Sequence, residues 1–228
     1  MSLTARNATG DAVAAFSTGC IRCTRLAAHL AEVRAEYPDY HARPVPPFGD
    51  GQPQLLIVGL APGLHGANRS GRPFTGDFAG ILLYQTLYRF GYASHPESNS
   101  SGDGLRLTGC RITNAVKCLP PQNKPLPTEV RECNVYLRVE LAALTPGAAI
   151  LALGTVAHRA VMLALGLRPS DYVFAHGAQH ELGGRGRLFD SYHCSRYNTN
   201  TRRLTTAMFE QVFSDIATYL GQPLPQRG

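Results

Sequence analysis

Charged side chains are scarce in this sequence. Asp, Glu, Lys and Arg make up 17% of its 228 residues, against roughly a quarter in an average globular protein. No apolar run approaches the roughly 18 residues that a membrane-spanning helix requires. The first residues, Met1 to Arg6, do not lead into the long apolar stretch of a secretory signal peptide. We therefore expect a cytoplasmic protein whose cysteines stay reduced.

Two catalytic motifs are also missing. The sequence contains no G-x-x-x-x-G-K-[ST], which argues against a nucleoside triphosphate site, and no H-E-x-x-H, the paired zinc ligands of many metalloproteases. Internal repeats and low-complexity tracts are absent as well, so neither a solenoid nor a repeat array is expected.

What is present favours one folded domain. Hydrophobic residues make up 44% of the chain, which is enough for a core and argues against intrinsic disorder. We predict a single domain over 1–228, with flexible ends at 1–18 and 222–228, and a monomer. The formal net charge of +6 favours a polyanionic partner.

Short apolar runs alternate with helical patterns along the chain. The runs cover 55–60, 110–116, 148–153 and 188–192, and each suits a strand that is buried on both faces. Apolar residues at helical spacing predict helices over 20–37, 79–90, 128–144, 155–165 and 205–220. This alternation is typical of a mainly parallel sheet with helices on both faces.

Ligands of such sheets bind beyond the carboxyl ends of the strands. After the first run, residues 59–77 include five glycines, which allow the backbone to approach a ligand closely or simply form a long turn. Asn114 ends the second run and offers a donor and an acceptor to a heterocycle edge, unless it only satisfies local backbone. The polar, basic and aromatic segment 193–203 suits a loop that enters a nucleic-acid groove, or an ordinary solvated loop.

Six cysteines in a reduced chain need an explanation other than disulfides. Cys20 and Cys23 form a C-x2-C pair, and Cys118 and Cys133 lie far along the chain. Four such thiolates could enclose an iron–sulfur cluster or a zinc ion, and a redox pair with two buried thiols is the alternative without metal. Cys110 and Cys194 lie in or beside apolar runs and are expected to be small buried hydrophobes.

Taken together, these motifs resemble the uracil-DNA glycosylase superfamily, and most closely its iron–sulfur type b branch, family 5. The resemblance runs from Cys20 to about Met208 and is carried by residues 59–63, 66–69, 74–77 and 193–199 with the four cysteines. It implies a three-layer α/β/α sandwich around a four-stranded parallel sheet. It also implies a 4Fe–4S cluster on Cys20, Cys23, Cys118 and Cys133.

The resemblance further implies excision of uracil, and of other deaminated bases such as hypoxanthine and xanthine, from double- and single-stranded DNA in base excision repair. Leu60 stands where the related type a branch has a Glu that positions the attacking water. The implied catalytic residues are Asp77 and His193, and the implied base-binding residues are Gly59, Leu60, Ala61, Gly63, Phe74, Asn114 and His193.

Cleavage of the N-glycosidic bond leaves a cationic sugar and an anionic base. Asp77 can supply negative charge near the sugar, and His193 with backbone N–H groups can donate to the base. Asp77 also precedes a predicted helix, so it could be only an N-cap. Phosphate binding is expected from arginines, with Arg196 and Tyr197 on an intercalating loop. The predicted DNA-binding residues are Arg69, Arg72, Arg196, Tyr197 and Asn198.

Two other functions remain open from the sequence. A non-catalytic iron–sulfur protein that binds nucleic acid would have the same fold and basic face. A zinc-stabilised nucleotide-binding protein would use the glycine-rich loop at 59–63.

Overall fold

A computed structural model describes residues 16–225. Most of the predicted flexible ends, 1–15 and 226–228, lies outside this range. Of the remainder, Phe16 packs edge-on against Tyr136 with ring centroids 5.4 Å apart, and the Gln222 side chain accepts a hydrogen bond from Tyr92 Oη at 2.6 Å. Between 16 and 225, no helix is long and apolar enough to cross a membrane.

Six strands and seven α-helices make up the described part of the chain. The strands are β1 Phe48–Gly49, β2 Leu55–Gly59, β3 Cys110–Asn114, β4 Ala149–Leu153, β5 Gln179–Glu181 and β6 Arg187–Ser191. The helices are α1 Thr24–Glu36, α2 Ala67–Ser70, α3 Phe78–Arg89, α4 Pro127–Ala142, α5 Thr155–Leu165, α6 Arg196–Asn200 and α7 Thr206–Tyr219. All four predicted strands and all five predicted helices are confirmed, with ends shifted by a few residues.

The sheet is mixed and six-stranded, with the order β1-β3-β2-β4-β6-β5. Its four central strands are parallel, and β1 and β5 add an antiparallel edge on each side. The predicted four-stranded parallel sheet is therefore only the centre of the observed one. The edges escaped prediction because β1 has two residues, and β5 consists of polar side chains without an apolar run.

Successive side chains of the central strands point to opposite faces of the sheet and so divide the core into two layers. Leu55 and Ile57 of β2 pack with buried residues of α3 and α7, whereas Leu56 and Val58 pack with buried residues of α4 and α5. Successive side chains of a strand point to opposite faces, so continuous apolar runs require helices on both sides. The arrangement has the expected three layers.

Helix α1 packs outside these layers. Leu26, Leu30 and Val33 lie on one helical face and are almost fully buried in a third cluster with Val116 and Leu119. Burial of each such side chain contributes roughly 1.5–3 kcal/mol. The helix begins at Thr24 rather than at Cys20, because Cys23 is extended with φ −99° and ψ 98°.

Candidate active site

The carboxyl ends of β2 and β3 bring two predicted base-binding residues side by side. Gly59 is paired in register with Asn114. A Cβ atom at Gly59 would overlap Asn114 Oδ1 and would lie 2.7 Å from Phe74 Cζ. The Asn114 amide and the Phe74 ring therefore meet over the Gly59 backbone, and only glycine leaves room for this arrangement. An edge with a donor and an acceptor beside an aromatic face is a suitable pocket for a planar heterocycle.

His193 lies on the other side of Phe74, at the end of β6. The two rings are stacked, with centroids 5.8 Å apart and planes 27° from parallel. Burial lowers the pKa of His193 to about 4, so the imidazole is neutral at pH 7 and can donate one N–H. The Asn198 side chain donates to the His193 carbonyl at 2.8 Å, which fixes the turn that carries the ring.

Asp77 is the N-cap of α3. Its Oδ1 accepts from the Gly80 N–H at 3.0 Å, which confirms the capping alternative. Its second oxygen, Oδ2, is free of this bond and faces Gly66, where a Cβ would lie 2.5 Å away. Burial raises the pKa of Asp77, although backbone hydrogen bonds oppose the change. No ion pair within residues 16–225 includes Asp77, so backbone N–H groups at the start of α3 are what stabilises its charge. The cap therefore uses only Oδ1 and leaves Oδ2 available for chemistry.

An open cleft of about 860 Å³ runs past Asp77 and is lined by two exposed arginines, Arg69 and Arg196. The guanidinium of Arg196 lies 5.1 Å from the centroid of the Phe78 ring. Tyr197, the next residue of α6, is 70% exposed. These three side chains are exposed at the surface, and their contact with DNA stays a prediction.

Two predicted DNA contacts have other roles. Arg72 is only 4% exposed and forms a 2.5 Å ion pair with Asp103, so it is not available to a phosphate and that prediction is wrong. Asn198 uses its amide to hold the His193 carbonyl, which makes it part of the support of the loop.

The predicted glycine-rich loop reaches the predicted base-binding residues mainly through its backbone atoms. The carbonyls of Gly59 and Leu60 accept from the N–H groups of Ala115 and Val116 at 2.9 and 3.0 Å, which joins the ends of β2 and β3. Ala61 packs against the third core cluster, and Gly63 lines the cleft beside Asp77. Leu60 is apolar and supplies no carboxylate to this loop.

The four predicted cysteine ligands lie together around one small cavity, although they come from distant segments. Cys20 and Cys23 precede α1, Cys118 follows β3, and Cys133 belongs to α4. Tyr136 Oη donates to Cys20 Sγ at 3.2 Å, and the Lys117 N–H donates to Cys133 Sγ at 3.2 Å. Burial, followed by the charge of the neighbouring Cys133, raises the pKa of Cys23 to about 11.

The four cysteines can be compared with the donor sets that metals require. No three of them lie within 4.8 Å of one another. A tetrahedral zinc ion with bonds of about 2.3 Å needs sulfurs only about 3.8 Å apart. A cubane cluster attaches each cysteine to a different iron and needs a wider set. Four thiols around one cavity are a donor set that an iron–sulfur cluster can use.

The remaining two cysteines, Cys110 and Cys194, are fully buried outside this set, as expected of small hydrophobes.

The sequence did not reveal a second group of metal-type ligands, which lies on β6 and its neighbours. Asp190 of β6 is fully buried, and its two oxygens lie 2.9 Å from His158 Nδ1 and 3.2 Å from His180 Nε2. His158 Nε2 donates to the Tyr172 carbonyl at 2.8 Å. Both histidines hydrogen-bond Asp190, which joins β6 to α5 and β5. No sequence signal pointed to them, because Asp190 interrupts an apolar run and its partners are far apart in the chain.

Comparison with known proteins agrees with this geometry. The model of the uracil DNA glycosylase superfamily matches residues 46–217. A type-5 uracil-DNA glycosylase of Thermus thermophilus is 47% identical over 90% of this chain and 95% of its own length. One of Pyrobaculum aerophilum is 42% identical over 89% of both chains. A type-4 uracil-DNA glycosylase of Pyrobaculum aerophilum is 37% identical over 57% of this chain. The chain belongs to the uracil-DNA glycosylase superfamily.

Proposed function

We propose that the protein is a monofunctional DNA glycosylase that hydrolyses the N-glycosidic bond of uracil in DNA and leaves an abasic site for base excision repair. One observation carries this proposal: the Asn114 amide and the Phe74 ring meet at the Gly59 backbone, and the same segment 74–77 brings the carboxylate of Asp77 to the open cleft. Type-5 uracil-DNA glycosylases at 40–47% identity support the same activity.

Recognition begins with extrusion of the base from the duplex, which costs roughly a few kcal/mol. Arg69 and Arg196 offset this cost by binding phosphates, and the exposed Tyr197 fills the gap in the stack. The extruded uracil stacks on Phe74 and pairs its edge with the Asn114 amide. Double- and single-stranded DNA are both substrates, because the pocket reads the base rather than its partner.

The chemical step develops positive charge on the sugar and negative charge on the base. The Asp77 carboxylate stabilises the sugar cation or takes a proton from the attacking water. A neutral His193 donates a hydrogen bond to the base oxygen, together with backbone N–H groups of Gly59, Leu60, Ala61 and Gly63. Leu60 cannot take part in acid–base chemistry, and of the two carboxylates that line the cleft, Asp77 and Glu97, the proposal assigns the chemistry to Asp77.

We propose a 4Fe–4S cluster on Cys20, Cys23, Cys118 and Cys133. The wide spacing of the sulfurs and the hydrogen bonds from Tyr136 and Lys117 support it. When bound, the cluster supplies a structural link between the start of α1, the end of β3 and α4. The ion pair between Arg25 and Glu129, at 2.8 Å, joins the same two helices. Reduced thiols of this kind agree with a cytoplasmic location.

Other deaminated bases are included in the proposal. Hypoxanthine and xanthine are flat heterocycles with an edge carbonyl, so the Phe74 ring and His193 can contact them as they contact uracil. The protein is expected to act as a monomer.

The test uses purified protein and a panel of duplexes, each with one G·U, hypoxanthine or xanthine pair. Free uracil released from the G·U duplex supports the enzyme, whereas tight binding without release would identify a non-catalytic binder. Iron and acid-labile sulfide of about four each per chain support the cluster. Cys118→Ser should lose both and much of the soluble protein, and stoichiometric zinc without iron would refute the cluster.

A further inference from the structure

Arg72 is one of the best-connected buried side chains in the described part of the molecule, and the proposed reaction does not use it. Its Nε donates to Thr75 Oγ1 at 2.9 Å, and its Nη2 donates to Ser98 Oγ at 2.9 Å and to Asp103 Oδ2 at 2.5 Å. The Ser100 carbonyl also accepts from Nη2. One guanidinium therefore joins the segment 72–77 to the loop 98–103.

Asp103 completes this connection from the other side. Its Oδ2 accepts from the backbone N–H groups of Asn99 and Ser100 at 2.9 and 3.2 Å, and its Oδ1 accepts from Leu105 at 3.0 Å. Burial alone would raise the pKa of Asp103, but Arg72 and the backbone donors hold it well below its usual range. The carboxylate therefore stays charged and fixes the loop in one shape.

The segment held by Arg72 is the one that carries the proposed chemistry. Phe74 has φ +54°, in the left-handed region that aromatic residues rarely adopt. Such a conformation persists only when its surroundings enforce it. Thr75 Oγ1 bonds Ser98 Oγ at 2.6 Å, the Gly76 N–H donates to the Ser98 carbonyl at 3.2 Å, and Tyr84 Oη donates to the Pro73 carbonyl at 2.8 Å. The loop that receives these bonds also lines the cleft beside Asp77.

We propose that Arg72 is a positioning residue for base excision, which acts with Asp103 as a clamp that holds Phe74 over the base and Asp77 beside the sugar. The inference depends on the proposed function for its catalytic readout. It differs from a purely structural role in one respect: weakening the clamp changes the rate of the bound complex more than its affinity or its stability. A shift of about 1 Å at a reacting group can cost roughly 100-fold in rate.

The variants are Arg72→Lys, which keeps the charge and loses the fork, and Asp103→Asn, which leaves the Arg72 bonds to Thr75 and Ser98 in place. The matched control is Arg89→Lys, because Arg89 forms a 2.7 Å ion pair with Glu210 that joins α3 to α7 away from the cleft. Single-turnover release of uracil is measured with enzyme in excess. Affinity is measured on a duplex with an uncleavable 2′-fluorinated deoxyuridine.

We expect Arg72→Lys and Asp103→Asn each to lose about tenfold or more in single-turnover rate, with affinity within about threefold of wild type. The double variant should be at most about threefold slower than the slower of the two single variants. The two losses should not add, because both substitutions disrupt the same clamp. The Arg89→Lys control should retain its rate. Normal rates in both clamp variants, with a lower unfolding temperature alone, would overturn the proposal.

Hydrogen–deuterium exchange of the free protein gives a second readout that does not depend on the reaction. In Asp103→Asn, segments 73–77 and 98–103 should lose protection together, while β2 and β4 should not change. Faster exchange confined to 98–103 would also overturn the clamp. If the wild type releases no uracil, the proposed function fails, and the exchange result still decides whether the two segments are coupled. If Arg72→Lys does not fold, Asp103→Asn provides both measurements.

Discussion

Replacement of Asp77 by Asn separates the capping role that the structure shows from the catalytic role that we propose for this side chain. One carboxylate oxygen caps α3 through the Gly80 N–H at 3.0 Å, and the other faces Gly66 at the cleft. Asn caps a helix about as well as Asp but carries no charge. We therefore expect Asp77→Asn to fold and bind DNA normally and to be slow in the chemical step.

The size of the effect follows from the surroundings of the carboxylate. Removal of a group that stabilises charge in a transition state costs roughly 100- to 1,000-fold in rate, or about 2.7–4 kcal/mol. Loss of a cap costs only about 1 kcal/mol of folding stability. Since burial raises the pKa of Asp77, the folded protein disfavours its charge. Asp77→Asn should therefore be at least as stable as wild type at pH 7.

The assay is single-turnover release of uracil from a G·U duplex, with thermal unfolding measured on the same samples. Thr205→Ala is the matched control, because Thr205 caps α7 by accepting from the Met208 N–H at 3.2 Å. It should lower the unfolding temperature by roughly 2–4 °C and leave the rate unchanged. A rate for Asp77→Asn within about threefold of wild type would show that Asp77 is only a cap.

The pH dependence provides an independent check of the same assignment. The wild-type rate should fall as the pH falls through the raised pKa of Asp77, because the protonated carboxyl carries no charge. Asp77→Asn should lack this acid limb. The same limb in both proteins would assign it to another group.

Other perturbations test the neighbouring parts of the site. In Gly66→Ala, the new Cβ would lie 2.5 Å from Asp77 Oδ2 and push the carboxylate away, so the single-turnover rate should fall about tenfold or more. The control Gly51→Ala has open space around its Cβ and should behave as wild type. In the folded protein the pKa of His193 is lowered to about 4, so its contribution to stability is lost as the pH falls from about 6.5 to about 4. The stability of His193→Gln, measured by urea unfolding across this range, should therefore depend less on pH than that of the wild type. Equal pH dependence in the two proteins would contradict the burial of the ring. Tyr197→Ala removes a side chain that is 70% exposed and should slow duplex substrates about tenfold more than single strands, since only duplexes leave a gap in the stack; equal losses would count against a wedge.

The centre of the fold could be predicted because its signals are local. The central strands β2 and β4 are continuous apolar runs, as their burial on both faces requires, and the long helices repeat apolar residues at helical spacing. The edge strands carry no such signal. Gln179–Glu181 consists of three polar residues that pair with β6 only because the chain folds back beside it. Such a strand is determined by tertiary structure rather than by its own composition.

The role of Arg72 was likewise not predictable from its local sequence. Two arginines of one loop, Arg69 and Arg72, are equivalent to any reading of composition and charge. Burial of the second depends on Ser98, Ser100 and Asp103, which belong to a polar segment without a strand or helix pattern of its own. An acidic residue in such a loop signals an ion pair only after the partner is known. For this reason the sequence predicted a phosphate contact where the structure has an internal clamp.

The two halves of the base pocket have different structural origins, and this difference has a functional consequence. Asn114 and Gly59 lie on adjacent parallel strands in fixed register, so the edge-reading part of the pocket moves only if the sheet does. Phe74 and Asp77 lie on a loop whose strained backbone is held by side chains from 84 and 98–103. Changes in the loop can therefore adjust stacking and catalysis without unfolding the protein, whereas changes in the strands cannot. Differences among relatives in rate and in the size of the accepted base should accordingly arise from the clamped loop, and recognition of the uracil edge from the sheet.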